Sequence, residues 1–459
     1  MPILPRLRHR LHPDHLRVLK GASRVAFFLL LGKAMGAFKE MAVAYRYGVS
    51  AAVDAYQFTM TMATWLPVTL VGVLSVVLIP VLVQGRRGSL EERRLFIREM
   101  SGWGAMLGLI LAALTWVLWP WVLSVAGQGL SASTRGLSED LIVGFAPIAA
   151  LTVWSGLSAA RLRAYERHVN TLLDGVPAML LLACVLILAP AVDDARPLMW
   201  GSLLGFILQA VWLSWLATRA DGVRALPSLG RSSPRWHGIM EAAGVMLVGQ
   251  VAMSFVGPID QYTAANLGQN ANATLGYAAR LLALILGIGA VSVGRAALPV
   301  LADIQNRGDG AQARTMALKW SLAMIAAGLV AVLLGWLLAP WGVCLLFERG
   351  AFTAEDTVIV TEVFRWGLLQ LPFYFGVLVL VQLLASQRRY RIMAAIAVAN
   401  FAVKAVMNTV LAPVMGVAGI MLATVMMYAS SFTCYAIVAW RSSPSSGTAG
   451  QAGPPRSRP

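Results

Sequence analysis

Residues 116–123 read WVLWPWVL, and residues 336–343 read WLLAPWGV. Trp116, Pro120 and Trp121 match Trp336, Pro340 and Trp341 at a constant offset of 220. Three further pairs keep nearly the same offset: IPVL (79–82) with LPVL (298–301), RLRAY (161–165) with SQRRY (386–390), and LAP (188–190) with LAP (411–413). Four anchors in one order describe a single unit used twice.

The apolar runs say what that unit is. The 459-residue chain is 58% hydrophobic and 13% charged, whereas a soluble domain is about 25% charged. Runs long enough to cross a hydrocarbon core as helices fall at 22–45, 54–84, 100–126, 141–160, 171–191, 198–217, 239–265, 275–301, 320–346, 358–385, 392–412 and 417–440. The fold expected is an all-α polytopic membrane protein of about 12 transmembrane helices, six per unit. An even number of helices per unit makes the repeats parallel, related by an axis along the membrane normal. We therefore expect two six-helix lobes around a central cavity. The N-terminal lobe is 1–217, a cytoplasmic Arg/Ser/Pro-rich linker is 218–238, the C-terminal lobe is 239–440, and 441–459 is a disordered cytoplasmic tail.

Charge orients the bundle. Of the 37 Lys and Arg, 26 fall on the side of the termini, 4 on the opposite side and 7 within the spans. The positive-inside rule then puts both termini in the cytoplasm of a multi-pass inner-membrane protein. The net charge of +16 is accounted for by topology and does not indicate nucleic acid. The basic N-terminus precedes a 24-residue apolar run without a clear cleavage site, so it reads as a first helix and not a removable signal.

Enzymatic classes find little support. Cys184, Cys344 and Cys434 are isolated, and His9, His12, His15, His168 and His237 all lie outside the spans. No metal site, cofactor or catalytic motif is expected. The longest connection on the outer side, 127–140, is too short to build a glycan polymerase site.

The charges inside the spans are the candidate site. Lys33, Lys39 and Glu40 share one polar sector of the first helix, since seven residues return to within about 20° of the same face. Asp260 follows the helix-bending Pro258, and Arg280 lies early in the eighth span. Intramembrane charges usually face a wet cleft or a partner. Helices 1, 2, 7 and 8, which are repeat-equivalent pairs, would line that cleft. Arg295, Arg365 and Lys404 read instead as residues near helix ends or packed between helices, away from the cleft.

Several stretches resemble the MurJ/MviN-type lipid II flippases of the multidrug/oligosaccharidyl-lipid/polysaccharide exporter superfamily. They are GAFKEMAVAYRYGVSAAVDAYQF (36–58), IPVLVQ (79–84), GYAARLLALILGIGAVSVGRAALPVLA (276–302), LLFERGAFTAEDT (345–357) and NTVLAPVMGVAGIMLAT (408–424). The resemblance implies two lobes with a cationic cavity that takes the diphosphate of a polyprenyl-linked glycan. Lys33 and Lys39 fall where the family has arginines, Glu40 where it has an aspartate, and Arg280 and Asp54 on family positions. The substrate-binding set expected is thus Lys33, Lys39, Glu40, Arg280, Asp260 and Asp54. The chain departs from the family in 62–70, MATWLPVTL, which lacks the helix-2 cation. The expected partners are a polyprenyl-diphosphate-linked glycan, membrane lipid and other cell-envelope biosynthesis proteins, around a monomer that exports lipid II or an exopolysaccharide unit. The alternative is a cation-coupled drug antiporter of the same superfamily, which would want a cavity richer in carboxylates.

Overall fold

The computed structural model describes residues 31–86, 88–165, 173, 175–188, 192, 194–236, 249–307, 310–387 and 389–441, without the side chains of 76, 288, 290–300, 302, 305 and 306. All five histidines, the basic N-terminus, the tail beyond 441 and the Arg295 side chain lie outside that description.

The described residues are helical nearly throughout. Helix α1 is 31–47; α2 is Ala51–Gly85, α3 Leu90–Val117, α4 Trp119–Ala126, α5 Ala132–Ala164, α6 Val176–Leu188 and α7 Arg196–Asp221. After an extended strap, 223–232, the chain resumes with a helical stretch at 249–254. Then come α8 Val256–Ala265, α9 Ala271–Asn306, α10 Gly310–Phe347, α11 Ala354–Leu368, α12 Leu371–Ser386, α13 Tyr390–Met415 and α14 Val417–Arg441. Among the described residues eight helices are long and apolar enough to cross a membrane, with shorter apolar helices beside them. Each of the twelve expected spans contains helix.

Local chemistry sets the breaks. Pro120 in the first turn of α4 lacks the N–H that would continue α3, and Pro372 does the same between α11 and α12. Where chain re-enters a helix from a loop, a hydroxyl takes an orphan amide: Ser89 accepts from Glu92 N, and Ser131 from Thr134 N. Thr353 and Asp356 close a reciprocal capping box at α11.

The helices pack as two groups. In the first, α2 lies on α5, α5 on α3 and α7, and α6 on α7; in the second, α10 lies on α11 and α12, α12 on α9 and α14, and α13 on α14. The groups meet where α2 crosses α8 and α9. We call the end holding 45–50, 127–131, 266–270 and 348–353 distal, and the end holding 86–89 and 222–236 proximal. At the distal end both lobes share one apolar core, from Tyr47 and Phe58 to Tyr277, Phe347 and Phe352. Toward the proximal end the core divides, one part around Leu78, Phe96 and Met100, the other around Leu380, Leu383 and Tyr435. Among the described residues, the lobes share one core at the distal end and have separate cores toward the proximal end.

The distal seal is made on backbone carbonyls at the end of α1 and just after it. Ala351 N donates to Tyr45 O at 2.9 Å, Tyr277 Oη to Gly48 O at 2.8 Å and Asn270 Nδ2 to Val49 O at 3.3 Å. Gly350 has φ +62°, and a Cβ there would lie 2.2 Å from Tyr45 O. Gly129 plays the same part in the other repeat, where a Cβ would lie 2.3 Å from Ala265 O. Only glycine lets these strands of backbone approach so closely.

Candidate functional site

α1 delivers the first charges to the seam. Lys39 and Glu40 are buried, with Lys39 Nζ 2.5 Å from Glu40 Oε1 and 5.8 Å from the centre of the Tyr56 ring. From the other lobe, Arg280 on α9 donates through Nη1 to the same Glu40 Oε1 and through Nη2 to Gln57 Oε1 at 3.2 Å. Glu40 is therefore held by one cation from each lobe. Its second oxygen, Oε2, is buried and has no hydrogen-bond partner among the described residues.

Two cavities adjoin this cluster, and Arg280 lines both. One, about 170 Å³, is lined by Lys33, Gly36, Glu40, Arg280, Leu284 and Phe347. The other, about 290 Å³, is lined by Gln57, Asp260, Gln261, Arg280, Gln370 and Thr424. Lys33 reaches across to α9, where a Cβ on Gly287 would lie 3.4 Å from its Nζ. Among the described residues Lys33 has no acidic partner. The seam thus presents one uncompensated ammonium and two cations that share a carboxylate.

Asp260 lines the second cavity but belongs to a different network. Lys404 Nζ lies 2.8 Å from its Oδ1, and Asn408 Nδ2 donates to the same atom at 2.9 Å. Lys404 also donates to Ile420 O at 2.8 Å and Thr424 Oγ1 at 2.7 Å, with no part of its side chain exposed. It packs between helices, yet its charge holds a cavity residue.

Asp54 lines neither cavity. It is buried at the distal seam, where Oδ1 accepts from Ala273 N at 2.9 Å. A carboxylate of the first lobe therefore caps the opening turn of α9 in the second, a position favoured by the positive end of the helix.

Sequence reasoning passed over Gln57, Tyr56 and Asn408, and read Lys404 only as a residue packed between helices or near a helix end. Lys404 carried a usable signal, since a lysine in an apolar helix demands a partner. Gln57 and Asn408 carried none that separates them from other scattered polar residues.

The lipid II flippase MurJ family matches residues 43–451. That match begins just after Lys39 and Glu40. A probable lipid II flippase MurJ of Bdellovibrio bacteriovorus is 28% identical over 230 residues, 50% of this chain. The matched segment spans 43% of that relative's length. Among solved structures, a lipid II flippase MurJ in an inward closed conformation superposes with a TM-score of 0.75 at 18% identity, covering 91% of this chain and 87% of that one. An inward-facing MATE-family multidrug transporter superposes at 0.67 with 13% identity, covering 90% and 93%. At these identities the structural likenesses establish the shared fold. The family match spans most of the sequence, and this chain belongs to the lipid II flippase MurJ family.

Proposed function

We propose that this protein moves a polyprenyl-diphosphate-linked glycan, of the lipid II class its family takes, from the cytoplasmic to the outer leaflet by alternating access. The observation that carries this reading is the meeting of Lys39 and Arg280, one from each lobe, on Glu40 beside cavities at the seam. Glu40 occupies the cations as an anion would. An incoming diphosphate meets the unpaired Lys33 first and then competes for Lys39 and Arg280, while the polyprenyl tail stays in lipid. Once it takes Arg280 from Glu40, one tie between the lobes is gone.

The architecture supports rocking about the distal seal, with 218–238 as the linker between an N-terminal lobe of 1–217 and a C-terminal lobe of 239–440. With the proximal end cytoplasmic, as the Lys/Arg bias indicates, the described cores of the two lobes are separate on the side where the substrate is made. A membrane potential of 100 mV favours outward passage of each negative charge by about 2.3 kcal/mol. The antiporter reading fares worse, because both carboxylates lining the seam cavities are already matched, Glu40 by Lys39 and Arg280, and Asp260 by Lys404.

The test is accumulation of lipid-linked precursor in the cytoplasmic leaflet of a strain that depends on this gene. A hydrogen bond to a charged group contributes about 1.5–3 kcal/mol, so Arg280→Ala or Lys39→Ala should cut flipping at least tenfold at normal membrane abundance. Lys39→Glu should be worse than Lys39→Ala. Normal export by Lys39→Glu would sink the mechanism. Orientation is checked separately: reporters fused after Arg135 and Arg349 should read as external, and those after Arg94 and Arg231 as cytoplasmic.

A further inference from the structure

A groove of about 740 Å³ lies at the proximal end, outside the seam, between α3 and the strap that follows α7. Its walls are Trp103, Met106, Leu107 and Ile110 of α3, Arg231 of the strap and Trp236 just beyond it.

The strap is bound in place, so the groove is a built feature. The buried Glu99 carboxylate accepts from Ser232 N at 2.8 Å, Ser233 N at 3.2 Å and Trp236 Nε1 at 2.8 Å. Trp103 Nε1 donates to Gly230 O at 2.9 Å, and Ser228 N to Arg98 O at 3.1 Å. These bonds use up Glu99, and Glu92 lies 3.4 Å from Arg235.

That leaves Arg231 with no acidic partner among the described residues; its guanidinium lies 4.8 Å from the centre of the Trp103 ring. Between 222 and 236 the chain carries Arg224, Arg231 and Arg235 and no acid.

The other end of the groove is apolar and opens onto an exposed face of α3. Trp103, Met106 and Ile110 follow helical spacing on one face of α3, and the same face continues to the exposed Leu114 and Val117. The polar first half of α3 ends at about Trp103, a residue type that favours the membrane–water boundary. An unpaired cation at headgroup depth, running into an apolar channel along a membrane-facing helix, has the shape and charge of one lipid species.

We propose that this groove binds an anionic phospholipid, its phosphate on Arg231 and an acyl chain along Met106, Leu107 and Ile110. The bound lipid ties the strap joining the two lobes to the membrane surface. Arginine suits the role because its planar fork bonds phosphate oxygens while its face stacks on the indole.

The test is native mass spectrometry of the purified full chain equilibrated with phosphatidylglycerol and phosphatidylcholine of identical acyl chains. The wild type should retain one phosphatidylglycerol in preference to phosphatidylcholine. Arg231→Ala should lower that preference at least fivefold, and Met106→Trp, which fills the channel and spares the cation, should lower total retention at the site. Monodispersity and melting temperature report whether each variant folds, and the two variants fail independently. Equal retention of both lipids by the wild type, or unchanged preference in Arg231→Ala, would overturn the proposal. So would displacement of phosphatidylglycerol by millimolar inorganic phosphate alone, which would mark a site for a soluble anion.

Discussion

Glu40 and Asp260 stand 220 positions apart, the offset that relates the two repeats, yet they are neutralised in different ways. Glu40 takes one cation from its own helix and one from the opposite lobe. Asp260 takes its cation, Lys404, and its amide donor, Asn408, from α13 within its own lobe. The first carboxylate is a tie across the seam, which the proposed rocking of the lobes would break and remake. The second is a brace within one lobe. Acidic residues at matching repeat positions thus pair across the lobes in one case and within a lobe in the other.

The comparison breaks first at Lys404. Removing one member of a buried ion pair leaves the other uncompensated and costs about 3–5 kcal/mol. Lys404→Ala should therefore lower the unfolding midpoint of the purified protein sharply. Arg280→Ala should cost far less stability, because its side chain is 38% exposed and solvent screens its pair with Glu40. The double variant Asp260→Asn, Lys404→Met should recover most of the loss, since no lone charge remains. Equal destabilisation by Lys404→Ala and Arg280→Ala would erase the distinction between brace and tie.

A second, smaller effect concerns the seal that holds the seam shut. Gly350→Ala places a Cβ against Tyr45 O and forces an L-residue into a left-handed conformation at φ +62°, worth about 1–2 kcal/mol from backbone strain alone. One to two kcal/mol is a shift of about 5–30-fold. A cysteine in place of Asn272, fully buried under the seal, should be labelled by an impermeant maleimide at a correspondingly higher rate in the Gly350→Ala background. Unchanged labelling would show that the seal is set elsewhere.

The two-lobe fold was legible because Trp and Pro anchors recur at one offset and because a bilayer leaves few options besides helices. Local boundaries were less legible. Arg161, assigned by its charge to a connection, ends α5 as a buried residue bonded to both oxygens of Asp221. Glu99, counted among polar connecting residues, is buried under the strap. Both are charges whose partners lie more than 50 residues away in sequence, so no local pattern marks them as interior.

The site divides along the same line. Charges in apolar helices pointed to Lys33, Lys39, Glu40 and Arg280, and the structure brings these four to one seam. Which carboxylate serves which cation depends on helix rotation and on register between the lobes, which composition does not set. Asp260 was therefore grouped with the seam cations, whereas Lys404 holds it within the second lobe.

The smallest expected effect is the most exacting for the seam. Lys39 supplies an ammonium to Glu40 Oε1, while Glu40 Oε2 is buried and has no hydrogen-bond partner among the described residues. Lys39→Arg replaces a point charge with a fork able to bond both oxygens, and the added guanidinium can stack on Tyr56, whose ring Lys39 already overhangs at 5.8 Å. Against this stands the larger volume of arginine at a buried position. Overpacking typically costs about 1–3 kcal/mol, similar to the gain from satisfying a buried charged oxygen. The two effects nearly cancel, so flipping by Lys39→Arg should stay within about threefold of wild type. Glu40→Gln in the same background should remove that balance, because a neutral amide gives the fork only one acceptor. A tenfold loss in Lys39→Arg alone would mean that the ammonium's small size, and not its charge, is what the seam requires.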